Sequence, residues 1–240
     1  MGITMIEIDP YTSRHGPSIK YVSYLKEYEE FHLMGKGMFN GRSLLKFVEI
    51  IQEYLKRNKC KTLLDYGSGK GQLYTEDFSE ITDEIDRPLP EYWNLDEYQL
   101  FDPAYEEHAK LPVHKKDAVV CTDVLEHIPE TDLGWVVDEI FSYARKMVFL
   151  NVACFEAMKT FKDGTNVHVS VFSPDDWLQF LAHRSRQFRK LVIYVFADTI
   201  DAETDEFLTR GFRIDQYPRI IELKDKERTA CLELPNQSSE

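Results

Sequence analysis

Between residues 63 and 73 the chain reads LLDYGSGKGQL, with Asp65 leading into Gly67, Gly69 and Gly71. Glycine at every second position suits neither a helix nor a strand interior. Where a strand turns into a helix, though, it lets backbone N–H groups come close to a ligand. Three ligand chemistries compete for such a turn. A phosphate-cradling GxxxxGK loop followed by Ser or Thr needs glycine at 64, where Leu64 stands, and a hydroxyl after Lys70, where Gly71 stands. A dinucleotide GxGxxG needs glycine at Gln72, and the acid ahead of the first glycine fits poorly beside a pyrophosphate. What remains is a cofactor with an ammonium, a carboxylate and a ribose but no phosphate, whose positive charge Asp65 balances.

Two histidines could move a proton. His127 follows an apolar strand, and an imidazole titrates near ~6.5, which suits a general base; the alternative is that it only shapes its loop. In GTNVHVSV (164–171), Asn166 and His168 alternate with Val167, Val169 and Val171. A strand would put both polar groups on one face, as substrate contacts and base or as the solvated side of an edge strand. Trp177 could wall the pocket or fill the core. MGKGMFNGRSL (34–44) could close over a cofactor with Arg42 near its carboxylate, or be a plain connecting loop. His15, His32, His108, His114 and His183 show no ligand spacing, and HxxxH and HExxH are absent, so no metal is expected.

The elements that must position these groups follow from periodicity. Residues 18–34 and 43–59 read as helices; in the second, Leu44, Phe47, Val48, Ile51 and Leu55 share a face, with Ser43 as cap. Strands are expected at 61–66, 98–102, 117–123 and 146–152, then in LVIYVFA and RIIEL. Helices are expected near Lys70, over 131–145, and from Ser173 as cap with Pro174 in the first turn. The acidic stretch 75–97, with Pro88 and Pro90, reads as a surface insertion and a candidate substrate lid. Alternating strands and helices from 61 onward indicate an α/β, doubly wound, mainly parallel sheet. Residues 1–60 form an N-terminal helical lead-in or cap, and 61–240 one Rossmann-like unit.

Composition narrows the partners. A formal net charge of −13 repels phosphate backbones and argues against a nucleic-acid binder. The longest nearly apolar run, MVFLNVACF (147–155), is short of the ~18–20 residues a spanning helix needs, so no membrane partner is expected. The N-terminus carries no cationic start with an apolar block, and Cys60, Cys121, Cys154 and Cys231 lack CxxC spacing. A soluble, cytoplasmic protein is the expectation.

LLDYGSGKG resembles the glycine motif of the class I S-adenosylmethionine-dependent methyltransferases. FDPAY (101–105) resembles that family's second acidic strand end, and DAVVCTDVLEHIP (117–129) the strand and loop after it, so the resemblance covers about residues 60–155. More loosely, MFNGRSL (38–44) and DGTNVHVSVFSPDDW (163–177) are similar to a bacterial and phage subgroup of uncharacterised methyltransferases. The resemblance implies a seven-stranded sheet and S-adenosyl-L-methionine as cofactor. It implies Asp65 at the methionine end, Gly67, Gly69 and Gly71 beneath the cofactor, Asp102 on the ribose hydroxyls, and Pro103 and Asp123 beside it. The step from Asp65 to Asp102 exceeds the ~20 residues usual for this fold; Asp83, Glu84 and Asp86 are nearer, but no strand precedes them. FDPAY is also similar to the DPPY of amino-group methyltransferases acting on nucleic acid. Ala104, the early position of the motif and the acidic charge count against that reading. The expected activity is methyl transfer to a small-molecule or sugar acceptor, by O-methylation, with oligomeric state open. The alternatives are a nicotinamide-dependent oxidoreductase, which Gln72 and Asp65 disfavour, and a non-catalytic member that binds cofactor or a protein partner.

Overall fold

The computed structural model describes residues 6, 11–35, 37–215 and 219–224. Five helices are present among them: α1 (Ile19–Leu33), α2 (Val48–Arg57), the single turn α3 (Leu89–Tyr92), α4 (Glu130–Tyr143) and α5 (Pro174–Ser185). Seven strands, β1 (Thr62–Tyr66), β2 (Glu97–Phe101), β3 (Lys116–Thr122), β4 (Ala144–Ala153), β5 (Val192–Ile200), β6 (Phe207–Ile214) and β7 (Ile220–Glu222), form one sheet. Its order is β2-β1-β3-β4-β5-β6-β7. The first five strands pair in parallel; β6 runs antiparallel to β5, and β7 antiparallel to β6.

Strands buried on both faces must be apolar throughout, which is why β3 and β4 read as near-continuous hydrophobic runs. Their alternate residues divide between two cores. Val119, Cys121, Val148, Leu150 and Val152 pack with α4 and α5, whereas Ala118, Val120, Met147 and Phe149 pack with α2 and the 3-10 turn Arg42–Phe47. On that second face Phe47, fully buried, meets Phe149 and Phe196, and Tyr54 stacks on Tyr194 at 3.7 Å between centroids. The expected lead-in 1–60 therefore splits: α2 is a layer of the sheet's own core. α1 is anchored elsewhere, through Ser18 N–H donating to Asp132 Oδ1 (3.0 Å) and Tyr21 packing on Trp135.

Several local expectations change. Ser43 caps nothing; left-handed Gly41 starts a 3-10 turn, and α2 begins at Val48 without a side-chain cap. No α-helix opens at Lys70, where the chain instead makes short 3-10 turns at Gln72–Tyr74 and Glu76–Glu80. The stretch 75–97 is not a loose surface loop. Leu89 and Trp93 are buried against α2, and Trp93 Nε1 donates to the Val48 carbonyl at 3.0 Å, so a lid hinged there would have to leave the core. Residues 164–171 are not a strand. Ser173 does cap α5, accepting from Asp176 N–H at 3.2 Å. Cys231 lies outside the described residues. No helix among the described residues is long and apolar enough to cross a membrane.

The order places β2 and β3 on opposite sides of β1. Chain direction switches there, and a crevice opens beyond the carboxyl ends of the strands.

Candidate functional site

That crevice gathers the residues that follow three adjacent strands: the glycine turn after β1, Asp102 after β2 and Asp123 after β3. Gly67, Ser68, Gly69, Asp102, Pro103, Asp123 and His127 line one cleft of about 150 Å³, closed from above by Tyr21, Tyr24, Tyr28 and His32 of α1 and by Phe39. A smaller recess beside it is lined by Asp65, Ser43, Gly67 and Thr122.

The alternate glycines turn out to be required by the protein's own packing. At Gly67 (φ +85°) a Cβ would lie 2.2 Å from Val124 Cγ2, and at Gly69 (φ +54°) 2.3 Å from the Phe39 carbonyl oxygen. Gly71 is closed in the same way by Leu100. The 37–41 segment thus lies directly on the turn, and Lys70 N–H donates to the Phe39 carbonyl at 2.8 Å. Backbone reaches the cleft edge here because no side chain intervenes.

Asp102 is fixed by backbone donors. Its Oδ2 accepts from Gly69 N–H and its Oδ1 from Ala104 N–H, both at 2.9 Å, while His32 Nε2 stands 3.9 Å from Oδ1. Burial pushes the Asp102 carboxyl up, the two backbone bonds oppose that, and burial pushes the facing His32 imidazole down. His108 supports the turn from behind, its Nδ1 2.8 Å from the Gly69 carbonyl.

Asp65, 5% exposed, is pushed up to about 7 by burial, with the Tyr74 hydroxyl beside it but outside hydrogen-bond geometry. Between the unfolded carboxyl's pKa near 3.8 and the folded value near 7, the native state holds the extra proton. Stability contributed by Asp65 is therefore complete at acid pH, declines as pH rises across that window, and levels off above it. Asp65→Asn is expected to remove this part of the slope, measured by urea unfolding between pH 4 and 8.

A second group faces Asp102 across the cleft. Asp123 is held at φ +60° directly after β3, and its carboxylate makes no hydrogen bond or ion pair among the described residues. His127 Nδ1 lies 3.0 Å from the Val167 carbonyl and 2.8 Å from the Tyr28 hydroxyl; His168 Nδ1 lies 2.6 Å from the Phe155 carbonyl. Carbonyls only accept, so each Nδ1 carries a proton and each Nε2 is left as the free ring atom. Burial pushes His127 down, toward the neutral form. The rings stand 4.7 Å apart at 74°, and one ligand atom each from Asp123, His127 and His168 lie within 4.8 Å of one another. The sequence expectation of no metal looked only at local spacing, which cannot see histidines separated by α4 and β4.

The remaining candidates are placed elsewhere. Asn166 is spent locally: its Oδ1 accepts from Ala157 and His168 N–H and its Nδ2 donates to the Ala157 carbonyl, which shapes the loop presenting His168. Trp177 is fully buried between Phe172 and Phe180 and cannot touch a ligand. Trp177→Ala is expected to cost ~3–5 kcal/mol in denaturant unfolding, the usual range for a large core aromatic. Arg42 donates to the Ile81 carbonyl at 3.1 Å and borders a separate cavity rather than the glycine turn. Sequence reading missed Tyr28, His32 and His108, whereas Phe39 lies in the 34–44 segment expected to close over the site. For the α1 residues a signal existed: Tyr21, Leu25, Tyr28 and His32 recur at helical spacing along one face. No protein-family model and no curated protein matches the chain.

Proposed function

We propose that the chain is an S-adenosylmethionine-dependent methyltransferase of the class I type that methylates a hydroxyl of a small-molecule or sugar acceptor. The observation that carries this reading is Asp102. Its carboxylate stands at the carboxyl end of β2 beside the glycine turn, oriented by Gly69 and Ala104 N–H. Each of its oxygens keeps a further lone pair for the two hydroxyls of a ribose. Phe39 and His32 give the same cleft flat rings of the kind a purine stacks on, and Pro103 walls it. Asp65, in the adjoining recess, is placed to balance an ammonium, whose arrival would favour the ionised carboxylate.

When bound, S-adenosylmethionine supplies a methyl group made electrophilic by its sulfonium. The chain's contribution is then alignment of the acceptor and exclusion of water, and α1 and Phe39 line the cleft where that would happen. A hydroxyl acceptor loses a proton in the step, and Asp123, His127 and His168, gathered beside the cleft, are the groups available to assist its loss.

A non-catalytic reading draws on a different observation. The space around Gly67, Gly69 and Gly71 is filled by Val124, Phe39 and Leu100, so packing alone requires those glycines. The test that separates the two is transfer of a labelled methyl group from S-adenosylmethionine to a panel of sugars, polyols and phenols. Acceptor-dependent label is expected; cofactor binding without transfer to any acceptor class would favour the non-catalytic reading.

A further inference from the structure

We propose that Asp123, His127 and His168 form a binding site for one divalent transition-metal ion, placed where the cofactor cleft meets a second cavity that receives a hydroxyl-bearing acceptor. One carboxylate oxygen and two imidazole nitrogens already converge within 4.8 Å of one another. Ligands ~2.1 Å from a common ion stand ~3–4 Å apart, so closure asks for about 1 Å of side-chain adjustment. Both imidazoles carry the orienting contact typical of metal ligands, Nδ1–H to a backbone carbonyl (Val167 and Phe155), which leaves Nε2 as donor to the ion. Asn166 holds the second loop in place by bonding Ala157 and the His168 backbone. Asp123 has no competing partner among the described residues. Close by, Glu126 is fully buried, its Oε1 accepting from Ala153 N–H.

Two nitrogens in a set of three ligands favour manganese, cobalt, iron or zinc over calcium or magnesium, which prefer all-oxygen shells. The three ligands leave positions open, and the surroundings say to what. Asp123 borders both the cofactor cleft and a cavity of about 490 Å³, His127 borders the first and His168 the second. That second cavity is edged by Asn151, Asp198, Lys46 and Thr209, groups that hydrogen-bond polyols, and by Phe155 and Phe207. Lys46, Asn151 and Thr209 all bond the Asp198 carboxylate, so the polar wall is pre-arranged. An ion at the junction would hold an acceptor hydroxyl and lower its pKa, as it does for bound water. The acceptor oxygen then forms the new C–O bond, the sulfonium C–S bond breaks to leave the thioether, and the acceptor's proton passes to solvent through the open cavity. The two histidines act as ligands in this account. The ion's role in the reaction rests on the methyl-transfer reading; its binding does not.

The experiment is Mn²⁺ titration of the metal-stripped full chain, followed by loss of the free-ion electron paramagnetic resonance signal, with no cofactor present. One ion per chain at micromolar affinity is expected, weakened at least tenfold in His168→Ala and in Asp123→Asn. His114→Ala, outside the cluster, should bind as the wild type does, and thermal unfolding confirms that each variant is folded. No saturable binding, or binding equal in wild type and His168→Ala, overturns the site. Because this readout needs no S-adenosylmethionine, failure of the methyl-transfer reading would leave a positive result intact. Where transfer is detected, chelation should abolish it and Mn²⁺ restore it; full activity in chelator overturns the ion's catalytic role.

Discussion

Asp102→Ala is expected to weaken S-adenosylhomocysteine binding by ~10²–10⁴-fold. Hydrogen bonds to a charged group contribute ~1.5–3 kcal/mol each, and the substitution removes the acceptor for both ribose hydroxyls at once. It also leaves Gly69 N–H and Ala104 N–H without their partner, so part of the loss comes from a slackened glycine turn. Asp102→Asn is the milder change, although its amide NH2 must face either Gly69 N–H or Ala104 N–H. It keeps one acceptor oxygen and the side chain's shape, and should lose only ~10-fold. Calorimetric titration of both variants, each with its unfolding midpoint, reads the difference. Equal affinity in wild type and Asp102→Ala would remove Asp102 from the cofactor site.

Gly67→Ala should produce a large stability loss for a single methyl addition. A left-handed backbone costs a non-glycine residue ~1–2 kcal/mol, and overpacking adds ~1–3 kcal/mol. The new Cβ would fall 2.2 Å from Val124 Cγ2, a contact that cannot persist without movement of the β3 loop. The midpoint of thermal unfolding should drop by about 5–15 °C for a chain of this size. Adding Val124→Ala removes the atom in the way, so Gly67→Ala/Val124→Ala should recover the steric part and retain the backbone part. A double variant no more stable than Gly67→Ala alone would show that the clash is not the cause. Since Val124 directly follows Asp123, displacement there should also disturb the Asp123–His127–His168 group.

The inner parallel strands β1, β3, β4 and β5 were legible because they are buried on both faces. TLLDY, DAVVCT and MVFLNV could not be solvated edges, and the acids that follow β2 and β3 mark the crevice. β6 was not legible. FLTRGFRI interleaves Thr209, Arg210 and Arg213 with its apolar residues and carries Gly211, and pairing with β5 and β7 makes it a strand. GTNVHVSV misled in the opposite sense. Its alternation is that of a strand, but Asn166 satisfies the loop's own backbone groups, and that local bonding competes with a sheet ladder. Trp93 and Leu89 made 75–97 part of the core despite two prolines, since a buried indole with a backbone acceptor outweighs an acidic composition. At the site, residues carried on strand ends were readable in order, whereas contributions arriving from α1 and from the 155–168 loop depend on tertiary folding.

The central claim is the cofactor, and the most direct measurement is calorimetric titration of the purified chain with S-adenosylhomocysteine, run beside NADH. One site per chain with micromolar affinity for S-adenosylhomocysteine, and no heat from NADH, is the predicted result. Binding of NADH alone, or of neither, would contradict it. In the second case the glycine turn serves Val124, Phe39 and Leu100, and nothing else.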